Sequence, residues 1–359
     1  MSFAKYRFAL LTTTIVLSLA MQAQQPVSPD MKAGIDAYRQ KDFTTSLAYF
    51  VKAASQGNRD AMLIAGMQYA RGEGVPKDSA IFVQWLNRAA TAGNLDAVYQ
   101  LGYMYDNGKY LPKDSALALK WYTLGAEAGN SNCQNNLGFK YSKGRWVPKD
   151  YAIALQWFRK SAEAGNGFGM ANLGESYEYG RGVPQDDVIA LDWYHKAYIK
   201  SNSLDAAYHI AKFYEKGYAG LAKNEQAAME WYQNSNRNNN NPGAMQHIGQ
   251  LYEYGKGVTA DVAEAVKCYQ RAAAMGNPFG MYYLGKQLKD PAAATKLYQQ
   301  AVAAFAALIK KSINDTESMC GLAVLYENGE GVEKDHAAAM RLYQQAADWG
   351  DEDAKKKLK

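Results

Sequence analysis

Four histidines are the side chains of this sequence best suited to bind a metal or transfer a proton: His195, His209, His247 and His336. His209 and His247 occupy the same position in two adjacent repeats of the chain. Packed helices lie about 8–10 Å apart, which is too far for direct imidazole contact but suits a shared metal or ligand. No third ligand is evident, and two polar residues on an exposed face are the alternative. We therefore assign no metal and no cofactor.

Other signatures of catalysis are missing from the sequence. It contains no HExxH, CxxC, GxSxG or phosphate-loop pattern. The three cysteines, Cys133, Cys268 and Cys320, are odd in number and irregularly spaced, so at least one is free. We expect all three to be small buried residues. The sequence thus predicts a protein that is not an enzyme.

Internal repeats are the elements that position these side chains. The segment Leu101–Tyr105 recurs 36 residues later as Leu137–Tyr141, and after another 36 as Leu173–Tyr177. An aromatic pair such as Trp121-Tyr122 follows 19 residues after the small residue, and a Gly-Asn junction such as Gly129-Asn130 closes many repeats. A period of this length indicates stacked supersecondary units that share a continuous core.

Each repeat is predicted to contain two helices. Helix A spans about residues 96–106, and a glycine-rich loop ends it because glycine permits the left-handed turn. The aspartate after the loop, Asp114 in this repeat, is expected to cap helix B. Gly102 allows close helix approach, and we expect Trp121 to fill the resulting space.

A set of side chains on helix A varies from repeat to repeat while the packing positions recur. Positions i and i+3 share one helix face, so these residues should form a stripe along the array. A variable stripe on a repeated scaffold is where a solenoid usually binds, whereas solvent exposure alone is the competing explanation. We predict partner binding by this variable stripe, which comprises Met67, Gln100, Tyr103, Asn136, Phe139, Asn172, Glu175, His209, Lys212, His247 and Gln250.

The repeat pattern resembles a known family. Ala-x3-Leu-Gly-x2-Tyr-x2-Gly-x-Gly-Val-x2-Asp, followed by Trp-Tyr-x2-Ala-Ala and Gly-Asn, is similar to the Sel1-like repeat, a relative of the tetratricopeptide repeat. The resemblance implies an all-α fold, a right-handed α-solenoid of antiparallel helix pairs whose A helices line the concave surface. It also implies that the variable stripe lies in this groove and binds a protein. The family's cysteine-rich branch is not supported, because this chain lacks its cysteine pairs.

Within the stripe, Met67, Tyr103 and Phe139 occupy one position in three consecutive repeats. We predict that they form an apolar ridge that anchors the partner, because contiguous apolar patches often mark interfaces. Asn136, Asn172 and His209 would run beside the ridge and bond the partner. Alternatively, the three ridge residues pack between neighbouring A helices.

The domain organisation begins with a predicted signal peptide. Lys5 and Arg7 precede a short apolar stretch, and we place cleavage after Ala23, with Ala20 as the alternative and an uncleaved anchor as the competing explanation. The predicted segments are 1–23, the signal peptide; 24–57, a tetratricopeptide-like opening helix pair; 58–350, eight Sel1-like repeats, of which 277–314 is irregular; and 351–359, a charged cap. The irregular repeat is predicted to contain a long alanine-rich helix, Pro291–Lys311.

The net charge and the predicted export limit the functions that this protein could have. The formal net charge of +5 falls to +3 without Lys5 and Arg7, and no basic run suggests nucleic-acid binding. We predict a periplasmic location, or alternatively secretion, with no stable membrane span after cleavage. The leading hypothesis is an adaptor of the bacterial envelope that binds a secreted toxin or an envelope protein. The alternatives are a periplasmic immunity protein against a type VI secretion lipase effector and a secreted host-interaction factor.

Overall fold

The computed structural model describes residues 28–311 and 315–358, so the predicted signal peptide lies outside the described residues. Within these ranges the chain forms 19 α-helices and no β-strand. The helices follow one another in packed pairs, which confirms the predicted all-α architecture. No helix in the described ranges is both long and apolar enough to cross a bilayer. The chain divides after Gln185 into two compact units, unit 1 and unit 2.

Unit 1 is a stack of antiparallel helix pairs in which the odd-numbered helices are the A helices and the even-numbered ones the B helices. Their bounds are α1 Pro29–Arg39, α2 Phe43–Ser55, α3 Arg59–Arg71, α4 Ser79–Thr91, α5 Leu95–Asn107, α6 Ser115–Glu127, α7 Ser131–Lys143, α8 Tyr151–Glu163 and α9 Gly167–Glu178.

Unit 2 begins with a B helix and continues the same alternation. Its helices are α10 Asp187–Ser201, α11 Leu204–Lys216, α12 Glu225–Ser235, α13 Pro242–Tyr254, α14 Val262–Ala274, α15 Pro278–Gln287, α16 Pro291–Lys311, α17 Thr316–Asn328, α18 His336–Asp348 and α19 Glu352–Lys357. The short α15 and the 21-residue α16 form the irregular repeat, and α16 has the bounds predicted for the alanine-rich helix.

Side-chain caps fix where the helices begin. The Asp114 carboxylate accepts a hydrogen bond from the Leu117 backbone N–H at 2.9 Å, and Asn94 does the same for Ala97 at 2.8 Å. These bonds satisfy backbone donors that the first helical turn leaves unpaired. The predicted aspartate caps are confirmed, and the Gly-Asn junctions prove to supply the caps of the A helices.

In several repeats, the glycine of helix A packs against the second member of the aromatic pair. A Cβ atom on Gly102 would lie 2.7 Å from a ring carbon of Tyr122, and Gly138 stands 2.8 Å from Phe158 in the same way. Tyr122 is fully buried, whereas Trp121 is half-buried. The prediction that tryptophan fills this space was therefore wrong. Successive residues on a helix point about 100° apart, so only one of the pair can face helix A.

The stack of repeats in unit 2 curves strongly enough to bring A helices that are far apart in sequence close together. Lys212 on α11 and Glu317 on α17 are 105 residues apart, yet Lys212 Nζ lies 2.6 Å from Glu317 Oε1. Lys216 and Asp353 form a second, longer ion pair at 3.6 Å. Unit 2 therefore presents its A helices toward a common interior.

Candidate partner-binding surface

The variable stripe is shared between the two units, and each part is described separately. Met67, Gln100, Tyr103, Asn136, Phe139, Asn172 and Glu175 lie on α3, α5, α7 and α9 of unit 1. His209, Lys212, His247 and Gln250 lie on α11 and α13 of unit 2.

The first two stripe residues are buried, so neither is displayed to a partner. Met67 is 1% exposed and Gln100 is 6% exposed. Met67 belongs to α3, on which buried residues occur on nearly every side, and a helix that is apolar all round is a core helix. The predicted ridge is therefore corrected: it loses Met67 and retains Tyr103 and Phe139, which are half-buried.

Gln100 differs from its equivalents in having no protein hydrogen-bond partner at either amide atom. In the next repeat, Asn136 bonds the hydroxyl group of Tyr122. One repeat earlier, Leu86 occupies the position of Tyr122 and Ala70 occupies that of Asp106. Neither of these side chains can form a hydrogen bond. Gln100 thus extends into an apolar environment that offers its amide no hydrogen-bond partner.

An acidic residue near the end of helix A pairs with the buried tyrosine of helix B in both units. The tyrosine hydroxyl donates to the carboxylate, at 2.6 Å from Tyr269 to Glu253 and 2.7 Å from Tyr232 to Glu215. Repeats without this tyrosine lack the acid as well. The pairs include Tyr122–Asp106, Tyr232–Glu215, Tyr269–Glu253 and Tyr343–Glu327. By contrast, Leu86 occurs with Ala70 and Phe158 with Ser142 at these two positions. These acids therefore stabilise helix pairs.

Three stripe residues of unit 1 meet in one small cleft. Phe139, Asn172 and Glu175 line a cavity of about 30 Å³ among α7, α8 and α9. Asn172 Nδ2 donates to Asn135 Oδ1 at 2.7 Å, and Arg181 forms an ion pair with Glu175. The cleft is an aromatic surface with an oriented amide beside it, and its acidic group is already neutralised.

Cations surround the exposed side of Phe139. Lys143 Nζ lies 5.7 Å and the Arg145 guanidinium carbon 5.8 Å from the centre of its ring. These distances fall within the range of cation–π attraction. Phe139 is therefore an aromatic side chain with two positive neighbours.

A buried lysine lies next to this group. Lys140 is 5% exposed, and its ammonium bonds Asp106 at 2.6 Å and lies 3.7 Å from the ring centre of Trp146. Burial lowers the pKa of Lys140, the Asp106 carboxylate opposes that shift, and the charges of Arg145 and Lys113 lower the pKa further. Arg145 and Lys113 thus act on the same ammonium group, although burial has the larger effect on its pKa.

Two aromatic residues in the loops were missed by the prediction from sequence. Tyr110 and Trp146 occupy the position at which other repeats have the second glycine of Gly-x-Gly, and both retain a left-handed backbone, with φ of +66° and +69°. Such a conformation is rare for bulky residues and costs about 1–3 kcal/mol. The signal was present in the sequence as a departure from the repeat. The glycines at this position are Gly74, Gly182, Gly257 and Gly331.

The two stripe histidines of unit 2 are held by aromatic stacking. His209 stacks on Tyr194 at 4.5 Å and His247 on Tyr232 at 4.7 Å between ring centres. His247 Nδ1 lies 3.1 Å from Glu215 Oε2. Burial raises the pKa of Glu215, but the charge and hydrogen bond of His247 and the hydroxyl of Tyr232 outweigh it and set the pKa at about 2.

The remaining stripe residues of unit 2 are engaged within the unit. Tyr208 contacts both histidines edge-on, at 5.7 and 5.9 Å between ring centres. Lys212 pairs with Glu317, and Gln250 accepts a hydrogen bond from Gln246. No group of three or more potential metal ligands occurs in the described part of the chain. The polar stripe of unit 2 is thus largely satisfied by its own neighbours.

Comparison with known proteins identifies the repeat. The Sel1 repeat model matches nine segments, at residues 33–58, 59–94, 95–130, 131–166, 167–202, 204–240, 242–277, 280–304 and 316–351. No curated protein matches the chain.

Two of the solved structures similar to this chain agree with this match. A protective antigen present in uropathogenic Escherichia coli strains is 31% identical, with a TM-score of 0.58 over 87% of this chain and 66% of its own, so the present chain spans about two thirds of that antigen. A Sel1 repeat protein from Oxalobacter formigenes is 29% identical, with a TM-score of 0.60 over 68% of this chain and 99% of its own. An immunity protein from Pseudomonas aeruginosa is 18% identical, with a TM-score of 0.39 over 60% of this chain and 81% of its own. The chain belongs to the Sel1 repeat family.

Proposed function

We propose that this protein is a non-catalytic interaction scaffold that binds a protein partner through the A-helix surface of unit 1. The observation that supports it best is the pair Tyr103 and Phe139, which remain half-buried at equivalent positions of the adjacent helices α5 and α7. Neighbouring partly exposed aromatic residues are typical anchors of protein interfaces. Asn136 and Asn172 flank them with amides that can donate and accept hydrogen bonds.

The proposed surface is confined to unit 1 for a physical reason. In unit 2, His209 and His247 stack on helix B tyrosines and Lys212 forms an ion pair with Glu317, so binding there would break existing contacts. In unit 1, the ring of Tyr103 lies 6.3 Å from that of Tyr99, and the ring of Phe139 lies 5.7 and 5.8 Å from the charged ends of Lys143 and Arg145, so neither ring is stacked or held in an ion pair. A partner could cover them at little cost.

The cellular setting is part of the proposal. Lys5, Arg7 and the apolar stretch after them suggest export, so we place the protein in the bacterial periplasm as an adaptor of the envelope. Two alternatives share this surface: an immunity protein that neutralises a type VI lipase effector, and a secreted host-interaction factor. The identity of the partner captured from periplasm, a lipase or an envelope protein, separates them.

A double truncation tests the surface. Tyr103→Ala with Phe139→Ala should leave the helical circular dichroism signal and the unfolding midpoint nearly unchanged, and should abolish recovery of the partner in a pull-down from periplasm. Each aromatic anchor is expected to provide about 2 kcal/mol or more of binding free energy.

The matched control is Leu124→Ala with Phe168→Ala, because both side chains are exposed apolar residues of unit 1 outside the variable stripe. The control should bind the partner as the wild type does. Unfolding of the Tyr103/Phe139 variant would mean that these residues pack between A helices, and normal binding by a folded variant would place the interface elsewhere.

A further inference from the structure

Resting on the proposed function, we propose that residues 139–149, here called the basic loop, form a cationic aromatic site that recognises an acidic, extended segment of the partner protein. The loop comprises the last turn of α7 and the connection to α8. Its cations and aromatic rings lie beside the Tyr103–Phe139 surface. The site therefore deepens the proposed function by specifying the chemistry of the partner.

Net charge sets this loop apart from its equivalents. The basic loop contains Lys140, Lys143, Arg145 and Lys149 and no acidic residue. Every other repeat with a Gly-x-Gly-type loop has at least one acid in the same stretch, and residues 324–334 have three acids and one lysine. A cluster of one sign attracts the opposite charge and steers its approach.

The cations of the basic loop are not neutralised from within. Among residues 28–311 and 315–358, no carboxylate lies within ion-pair distance of Lys143, Arg145 or Lys149. Nearby acids are already engaged, Asp106 by Lys140 and Glu175 by Arg181, while Asp150, which follows the loop, caps α8 by accepting a hydrogen bond from the Ile153 N–H. Residues 1–27 contain no Asp or Glu, so that segment cannot neutralise the loop. The loop therefore presents positive charge with which an acidic segment of another molecule can pair.

The aromatic half of the site is held at an energetic cost. Trp146 adopts φ of +69° at a position where four other repeats have glycine, and its side chain is one-third exposed. Strained bulky residues persist where the surroundings enforce them, and they cluster at binding sites. Trp146 places its ring over Lys140, while Phe139 lies between Lys143 and Arg145.

This alternation of rings and cations favours a peptide over other anions. Cations separated by aromatic surfaces suit a chain that alternates carboxylates with apolar side chains, because an extended strand turns successive side chains to opposite faces. The Asn136 and Asn172 amides are beside the rings and can bond a peptide backbone.

A probe peptide that alternates Glu with Phe tests the inference by fluorescence anisotropy with the full chain. The wild type should bind this probe, should bind it more weakly as salt rises, and should not bind a matched peptide with Lys in place of Glu. Lys143→Glu with Arg145→Glu should weaken binding by about tenfold or more, since each partly exposed pair is worth up to about 1 kcal/mol. The control, Lys120→Glu with Lys160→Glu, makes the same charge change on exposed residues of helices α6 and α8 and should leave the affinity unchanged.

Trp146→Gly keeps the repeat pattern and should fold, so a threefold or greater loss of probe affinity would implicate the ring itself. Equal binding by the wild type and the charge-reversed variant would overturn the inference. Stronger binding to anionic vesicles than to the probe would also overturn it, because the site would then bind a membrane. Salt-sensitive self-association that the charge reversal abolishes would overturn it as well, because the site would then bind a second copy of this chain. If the charge-reversed variant still recovers the periplasmic partner while Tyr103→Ala with Phe139→Ala does not, the proposed function stands and only the charge inference fails.

Discussion

The ion pair between Lys140 and Asp106 allows a quantitative test of the packing of unit 1. The Lys140 side chain is 6% exposed, and Asp106 accepts hydrogen bonds from both Lys140 and the Tyr122 hydroxyl, at 2.6 and 3.3 Å. Asp106→Ala leaves a buried ammonium group without its carboxylate and removes one hydrogen bond. We expect it to lower the free energy of unfolding by about 3 kcal/mol, because removing one partner of a buried pair costs about 3–5 kcal/mol and Asp106 keeps some exposure.

The second substitution, which completes a double-mutant cycle, replaces Lys140. Lys140→Met should cost less than Asp106→Ala, about 1 kcal/mol, because Asp106 keeps some exposure and its Tyr122 hydrogen bond, and because the equivalent residues Met104 and Leu251 are buried apolar side chains. In the Lys140→Met background, Asp106→Ala should cost only about 1 kcal/mol, the value of the Tyr122 hydrogen bond. The predicted coupling is therefore about 2 kcal/mol.

Hydrogen exchange of the α5 and α7 amides is the suitable assay, because a repeat array opens locally and global unfolding need not be two-state. Urea denaturation monitored by circular dichroism should give the same order of variants. Additive effects of the two substitutions, that is, a cost of Asp106→Ala that is the same with Lys140 or Met at position 140, would refute the reasoning.

Three further predictions follow from particular contacts. Gln100→Leu should raise the unfolding free energy by about 1 kcal/mol, because it removes a buried amide without hydrogen-bond partners; a destabilised variant in urea denaturation would show that the amide is satisfied. Tyr122→Ala should cost about 3–5 kcal/mol and Trp121→Ala clearly less, because only Tyr122 is fully buried against Gly102; the reverse order in the same assay would contradict the packing. The wild type should lose stability as the pH falls from about 4.5 toward 2, because the pKa of Glu215 is 4.5 unfolded and about 2 folded, so the unfolded state binds the proton first. This difference in pKa corresponds to about 3 kcal/mol of stability. Thermal unfolding of Glu215→Gln should show a smaller loss of stability over the same pH range than thermal unfolding of the wild type.

Much of the fold could be predicted because the repeats expose local rules directly. Asp114 and its equivalents cap helix B whatever surrounds them, and glycines such as Gly108 adopt the left-handed turn that ends helix A. The bounds of the long helix Pro291–Lys311 also followed, since proline begins it and alanine favours it. These signals are local, so one sequence suffices.

The candidate site was harder to predict because exposure depends on neighbouring repeats. Met67 and Phe139 share one repeat position, but α3 is apolar on nearly all sides and buries Met67, whereas Phe139 faces a cationic loop. The prediction likewise assigned Trp121 to the space beside Gly102, whereas tertiary packing places Tyr122 there.

Other features of the site were visible in the sequence only as departures from the repeat. Trp146 in place of a glycine and the absence of acids from residues 139–149 require the repeats to be compared position by position. The link between a helix B tyrosine and a helix A acid is a pairwise rule of the same kind, and the structure gives its reason as a hydrogen bond.

Site-specific photocrosslinking tests the central claim most directly. A photoreactive phenylalanine analogue is placed at position 139, within the proposed surface, or at position 124, on the exposed side of α6, in living cells that export the protein. If the A-helix surface of unit 1 binds the partner, irradiation will give one discrete protein adduct from position 139 and none from position 124. Adducts from position 124 alone, or the same adducts from both positions, would contradict the account.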